Sequence, residues 1–92
     1  MQFKWDEHKA AANLAKHGIS FTAATFVFDD SDRFSVPDTK REHGETRINT
    51  TGMVNGVLIA TVTHTGRNGI TRIISARHAT RKERKIYHGQ HN

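Results

Sequence analysis

Arg47, His64 and Arg77 each lie within or at the end of a run where apolar and polar residues alternate, and Glu83 and Tyr87 follow Arg77 closely. A guanidinium keeps its charge near neutral pH, and its planar fork can bind two phosphate oxygens at once. An imidazole, with an unperturbed pKa of ~6.5, moves protons at the same pH. Together these groups suit a phosphate ester whose charge must be held while a proton is transferred. Glu83 could accept that proton, and Tyr87 could donate one or stack a base.

Each residue also has a plainer reading. Arg77 can be a strand-end arginine paired with a surface acid, and Arg72 a solvated edge residue. Arg47 can pair across strands with Glu45 or another acid. His64 can be a surface hydrogen-bonder. Glu83 stands at capping-box distance from Thr80, and the Tyr87 ring can anchor a helix on a sheet. Lys9, Asn13 and Lys16 follow helical spacing and form one polar stripe, which can line a groove, meet a partner or simply face water.

The charge pattern favours phosphate as the target. From His64 onward the chain carries Arg67, Arg72, Arg77, Arg81, Lys82, Arg84 and Lys85 against Glu83 alone, a net +6, while residues 1–63 sum to −1. The two add to the formal +5 of the whole chain. A small domain with one strongly basic end usually meets phosphate, and nucleic acid is its commonest source. Arg81, Lys82, Arg84 and Lys85 are the strongest steering feature, each replaceable alone.

Other chemistries are disfavoured. The absence of cysteine excludes a disulfide framework and thiol catalysis and fits a reducing cytoplasm. The seven histidines, His8, His17, His43, His64, His78, His88 and His91, form no HExxH pattern, so no metal or other cofactor is expected. His17 suits a helix C-terminus, where a cation is favoured. The charged N-terminus lacks the apolar run of a signal peptide, and the longest apolar stretch, residues 57–62, is too short for a bilayer. A cytoplasmic protein with no membrane partner is expected.

The elements that must position these groups are legible in outline. Ninety-two residues make a single domain, 1–92, with 88–92 a frayed tail. Phe3-Lys4-Trp5 reads as a short strand. Asp6 and Glu7 favour a helix start, and residues 7–17 end at Gly18. Ser20 caps a second helix over 21–28, closed by Asp29-Asp30. A strand over 33–36 stops at Pro37, and 38–44 is a polar loop. Strands over 45–53 and 57–64 flank the hairpin turn Asn55-Gly56, and 65–69 turns into a strand over 70–77. The capping box Thr80-x-x-Glu83 opens a last helix ending near Tyr87. The order β-α-α-β-β-β-β-α predicts an α+β fold, with two N-terminal helices and a C-terminal helix packed on one face of an antiparallel sheet. Trp5, Phe21, Phe26, Phe28 and Leu58 are the expected core. Strict alternation would put Arg77 on one face with Ser75 and Ile73, and Arg72 on the other with Ile74 and Ala76.

Two blocks of residues resemble a known family. Phe3-x-Trp5-Asp6-Glu7-x-Lys9-x-x-x-Asn13-x-x-Lys16-His17-Gly18-Ile19-x-Phe21 is similar to the opening signature of BrnT toxins. Arg72-Ile73-Ile74-Ser75-Ala76-Arg77-x-Ala79-x-x-x-Glu83-Arg84-x-x-Tyr87 resembles their closing signature. Val27-Phe28-Asp29, Gly44-Glu45-x-Arg47 and the Gly52-x-x-x-Gly56-x-Leu58 hairpin lie between them in the expected order. The match covers nearly the whole chain, except His88 onward.

The resemblance implies a RelE-like ribonuclease fold and the toxin of a type II toxin–antitoxin module. It further implies growth arrest by RNA cleavage and neutralisation by a BrnA-like antitoxin, through which alone DNA is contacted. Metal-independent cleavage then needs in-line attack by the 2′-OH, stabilisation of the phosphorane charge and protonation of the leaving oxygen. Arg77, Arg47, His64, Glu83 and Tyr87 are the candidate catalytic residues. Arg72, Arg81, Lys82, Arg84, Lys9 and Lys16 are the candidate RNA contacts. A basic module that binds nucleic acid without cutting it, or an interaction domain covered by its antitoxin, are the alternatives.

Overall fold

The computed structural model describes residues 1–38 and 46–89. Most of the 38–44 loop, Glu45, His43, His91 and the start of the Gly44-Glu45-x-Arg47 motif lie outside the described residues. The elements are β1 (Gln2–Lys4), α1 (Glu7–His17), α2 (Phe21–Ala24), a 3₁₀ segment (Thr25–Asp29), β2 (Phe34–Asp38), β3 (Arg47–Val54), β4 (Leu58–Arg67), β5 (Ile70–His78) and α3 (Arg81–Gly89). This is the expected α+β order. Among the described residues no helix is long and apolar enough to cross a membrane.

Local chemistry sets the boundaries. The Asp6 carboxylate caps α1 by accepting from the backbone N–H groups of His8 and Lys9, and Gly18 ends the helix at φ 73°. Ser20 Oγ caps α2 by accepting from Ala23 N–H at 3.0 Å. The expected single helix over 21–28 tightens to 3₁₀ at Thr25, where β-branched and aromatic residues, weaker helix formers, take over. Three residues per turn then stack Ala24 and Val27 inward and turn Phe26 out. Phe26 is therefore 39% exposed and is not a core residue.

The sheet order is β1-β5-β4-β3-β2, an antiparallel meander with β1 added parallel to β5 at one edge. Pro37 does not stop β2 but lies within it, which an edge strand tolerates because no second neighbour needs its missing N–H. Asn55 and Gly56, with φ 51° and 68°, form the expected tight hairpin turn. The next turn is shorter than expected: β4 runs to Arg67, and Asn68-Gly69 turns at φ 54° and 77°.

One face of the sheet is covered by α1, α2 and the 3₁₀ segment. Ile19, Phe21, Ala24 and Val27 pack there on Val54, Ala60, Val62, Ile73 and Ala76, with Trp5, Phe28 and Leu58 partly buried at the rim. Gly52 lets the 3₁₀ segment approach, since a Cβ there would lie 3.0 Å from Val27 Cγ1 and 3.1 Å from its carbonyl oxygen. Asn13 is buried and breaks the expected polar stripe. Its Nδ2 donates to the carbonyls of Ile19 and Ala76, and its Oδ1 accepts from Ala76 N–H, stitching α1 to β5. Asn13→Ala strands these backbone groups away from water, and is expected to cost about 2–4 kcal/mol in chemical denaturation.

The last helix departs from the one-face arrangement. α3 crosses the opposite face, where Glu83 meets Thr61 and Arg77, and Tyr87 is buried with its OH donating to Asp30 Oδ2 at 2.6 Å. Asp30 Oδ2 also accepts from Met53 N–H, so this contact ties α3 to the end of β3.

Candidate functional site

A β-bulge decides which side chains face together. Thr63 pairs with Ser75 but His64 pairs with Ile73, leaving Ile74 as the extra residue in β5. Beyond it the alternation is reversed. Ile73 joins Ala76 in the core, and Arg72 joins Ser75 and Arg77 on the face away from α1, the reverse of the strict-alternation expectation.

Away from Met53 and Ile59, which lie near α3, that outer face is built from polar residues. One row sets Thr51, Thr61 and Arg77 side by side, the next Asn49, Thr63 and Ser75, and the next Arg47, Thr65 and Arg72. Thr51 and Thr61 share a hydroxyl hydrogen bond of 2.6 Å, and Thr63 Oγ1 donates to Asn49 Oδ1 at 2.7 Å.

Arg77 and Glu83 form the centre of this face. Arg77 Nη1 and Nη2 donate to the two Glu83 carboxylate oxygens at 2.7 and 3.1 Å, and Nη1 also donates to the His78 carbonyl at 3.3 Å. Of the five guanidinium N–H groups these use three. The Nε–H and one Nη2–H remain without a partner among the described residues, and they form one edge of the fork. With the side chain 37% exposed, that edge can take two oxygens of a phosphate.

Glu83 is saturated. Besides Arg77 it accepts from Thr61 Oγ1 at 3.0 Å and Thr80 N–H at 2.8 Å, and its own N–H donates to Thr80 Oγ1, completing the capping box. Burial alone would raise its carboxyl, but the hydrogen bonds from Arg77, Thr80 and Thr61 outweigh it and bring the pKa down to about 2. The Glu83 hydrogen bond in turn raises Arg77, against the opposing effect of burial. The geometry fits Glu83 to hold the Arg77 guanidinium in place, with every carboxylate contact already made.

The structure does not bring the other candidates together here. His64 lies on the helix-covered face, with Nε2 2.7 Å from Thr50 Oγ1 and its ring against Phe28, and burial lowers its pKa. The sheet separates it from Arg77. Tyr87 is also removed: burial, then its bond to Asp30, pushes its hydroxyl up to about 12, and the buried ring cannot stack on a base. Arg47 shares the Arg77 face but lies four residues away along the strand direction, about 13 Å at about 3.3 Å per residue.

Among the candidate RNA contacts, Arg72 is exposed on the same face. Arg81, Lys82 and Arg84 are exposed on α3, which crosses it. Lys9 and Lys16 are exposed on α1, which packs on the other side of the sheet, so they do not join the arginines. The sequence reading missed Thr61, which positions Glu83, and Lys4, which β1 sets beside Arg72. Only the parallel pairing of the two chain ends reveals Lys4.

Comparison with known proteins gives the arrangement a family context. Residues 5–83 match the family model described as "Ribonuclease toxin, BrnT, of type II toxin-antitoxin system". A crystal structure of the Brucella abortus ribonuclease toxin BrnT is similar, with a TM-score of 0.69 and 27% sequence identity, covering 88% of this chain and 99% of that one. No curated protein matches significantly.

Proposed function

Since the chain belongs to the BrnT family of ribonuclease toxins of type II toxin–antitoxin systems, we propose that it cleaves RNA laid across the arginine-bearing face of its sheet, with Arg77 at the scissile phosphate. The observation carrying this reading is the Arg77 guanidinium, clamped by Glu83, half-exposed, and with its Nε–H and one Nη2–H unpartnered among the described residues. In the reaction the 2′-OH attacks phosphorus in line and the bond to the 5′-oxygen breaks. A 2′,3′-cyclic phosphate and a 5′-hydroxyl end result, with water taking the 2′-OH proton and supplying one to the leaving oxygen. The open guanidinium edge holds the non-bridging oxygens as their charge builds. A fixed cation already in place supplies the charge stabilisation that a metal would otherwise give.

The reaction needs a 2′-OH, so DNA is not cut. Exposed Arg81, Lys82 and Arg84 draw the RNA in. A BrnA-like antitoxin relieves the growth arrest by covering the basic face, and DNA is contacted only through that partner.

End-labelled RNA incubated with the protein in excess EDTA tests the chemistry. Undiminished cleavage leaving cyclic phosphate ends is expected. Cleavage lost in EDTA and restored by magnesium, or 5′-phosphate ends, would contradict it, and tight binding with no cleavage would favour a non-enzymatic module.

A further inference from the structure

Lys4, Arg72 and Arg47 fall on one line across the sheet. Lys4 pairs with Arg72, Arg72 with Thr65, and Arg47 with Asp38 on the edge strand. The pairing of Ile48 with His64 sets Arg47 beside Thr65, which closes the line. Alternation puts this row on the face that carries Arg77, about 13 Å along the strands from it. Lys4 and Arg72 are both exposed, and neither has a carboxylate partner among the described residues. Like charges directly opposite one another weaken a sheet, so folding alone disfavours the Lys4–Arg72 pairing, whereas Arg47, at the far end of the row, faces the acid Asp38 across strands. An anion held between Lys4 and Arg72 would offset it.

We propose that the Lys4–Arg72–Arg47 row is a second phosphate site, gripping an RNA phosphodiester away from the bond being cut. This rests on the RNA-face reading given above and extends it. The substrate is then single-stranded RNA several nucleotides long, running along the strands from Arg77 to the row. Between the two sites lie Ser75, Thr63 and Asn49, whose hydroxyl and amide groups can meet riboses and base edges. Arg47 serves in the grip, not in bond breaking.

The test is equilibrium binding of 2′-O-methyl oligouridylates, which cannot be cut, at two and six nucleotides over a range of salt concentrations. The wild type should bind the hexamer more tightly. Lys4→Gln, on an exposed edge strand, should weaken the hexamer several-fold, make its log Kd–log[salt] slope shallower by about 0.7, and leave the dinucleotide unchanged. Lys16→Gln, on the other side of the sheet, should change neither.

An unchanged slope in Lys4→Gln, equal losses for both lengths, or a wild type indifferent to length would overturn the second site while leaving Arg77 in place. Failure of the wild type to bind either oligonucleotide would overturn the RNA-face reading itself. A Lys4→Gln protein that keeps the hexamer slope but no longer co-purifies with its co-expressed antitoxin would give the row to the protein partner instead.

Discussion

Arg77→Ala is expected to lower the rate of RNA cleavage roughly 10²–10³-fold, the usual effect of removing one preorganised donor to a developing oxyanion. The fold should survive. Glu83 keeps its hydrogen bonds from Thr61 and Thr80 in the variant, and Arg77 lies outside the core. Arg77→Lys should be nearly as damaging as alanine. A lysine is a point charge on a flexible stem and cannot grip both Glu83 oxygens while offering a second forked edge to phosphate. Single-turnover cleavage assays, with circular dichroism to confirm the fold, separate loss of chemistry from loss of structure. Full activity in Arg77→Lys would mean that charge alone matters and that the bidentate geometry does not.

The second large effect belongs to Glu83, as a positioning residue. Glu83→Gln keeps the size of the side chain but removes the charge that fixes the guanidinium, and small misplacements of catalytic groups can cost about 10²-fold. We expect kcat to fall roughly 10–100-fold with little change in KM, because the RNA is gripped elsewhere on the face. A merely structural role would instead lower stability and leave kcat per folded molecule intact.

Glu83 also sets an acid limit on stability. Its carboxyl sits at about 2 in the fold against 4.5 ordinarily. The depressed value means the folded state favours the charged form. That contribution is fully present above about pH 4.5 and is lost as pH falls towards 2. Urea unfolding at pH 7 and pH 3 should show the wild type losing more stability over this interval than Glu83→Gln.

The elements with local chemical signatures were legible in the sequence. Gly18, Ser20, Asn55-Gly56 and the Thr80/Glu83 capping box each act through neighbours a few residues away, and each stands where the sequence places it. What depends on distant pairing was not legible. The bulge at Ile74 arises from the fit of β5 against β4, and it moves Arg72 to the Arg77 face. The parallel pairing of β1 with β5 joins residues far apart in sequence and brings Lys4 into the row.

The same limit applies to the candidate site. Arg77 and Glu83 lie six positions apart across one strand end and one cap, so their meeting follows from local structure. His64 ends an alternating run as expected, but which face it takes depends on the register of the whole meander, and that register turns it towards Phe28. Tyr87 and Asn13 match the family signatures yet serve the fold, one bonded to Asp30 and the other to Ala76. Lys9 and Lys16 keep their predicted helical spacing, but α1 packs behind the sheet, away from Arg77.

Inducing the chain alone in a bacterial host and sequencing the RNA ends that appear decides whether Arg77 cuts RNA. The wild type should generate new internal 5′-hydroxyl ends together with growth arrest, and Arg77→Ala, expressed to the same level, should generate neither. Growth arrest without new ends, or the same ends persisting in Arg77→Ala, would contradict the account.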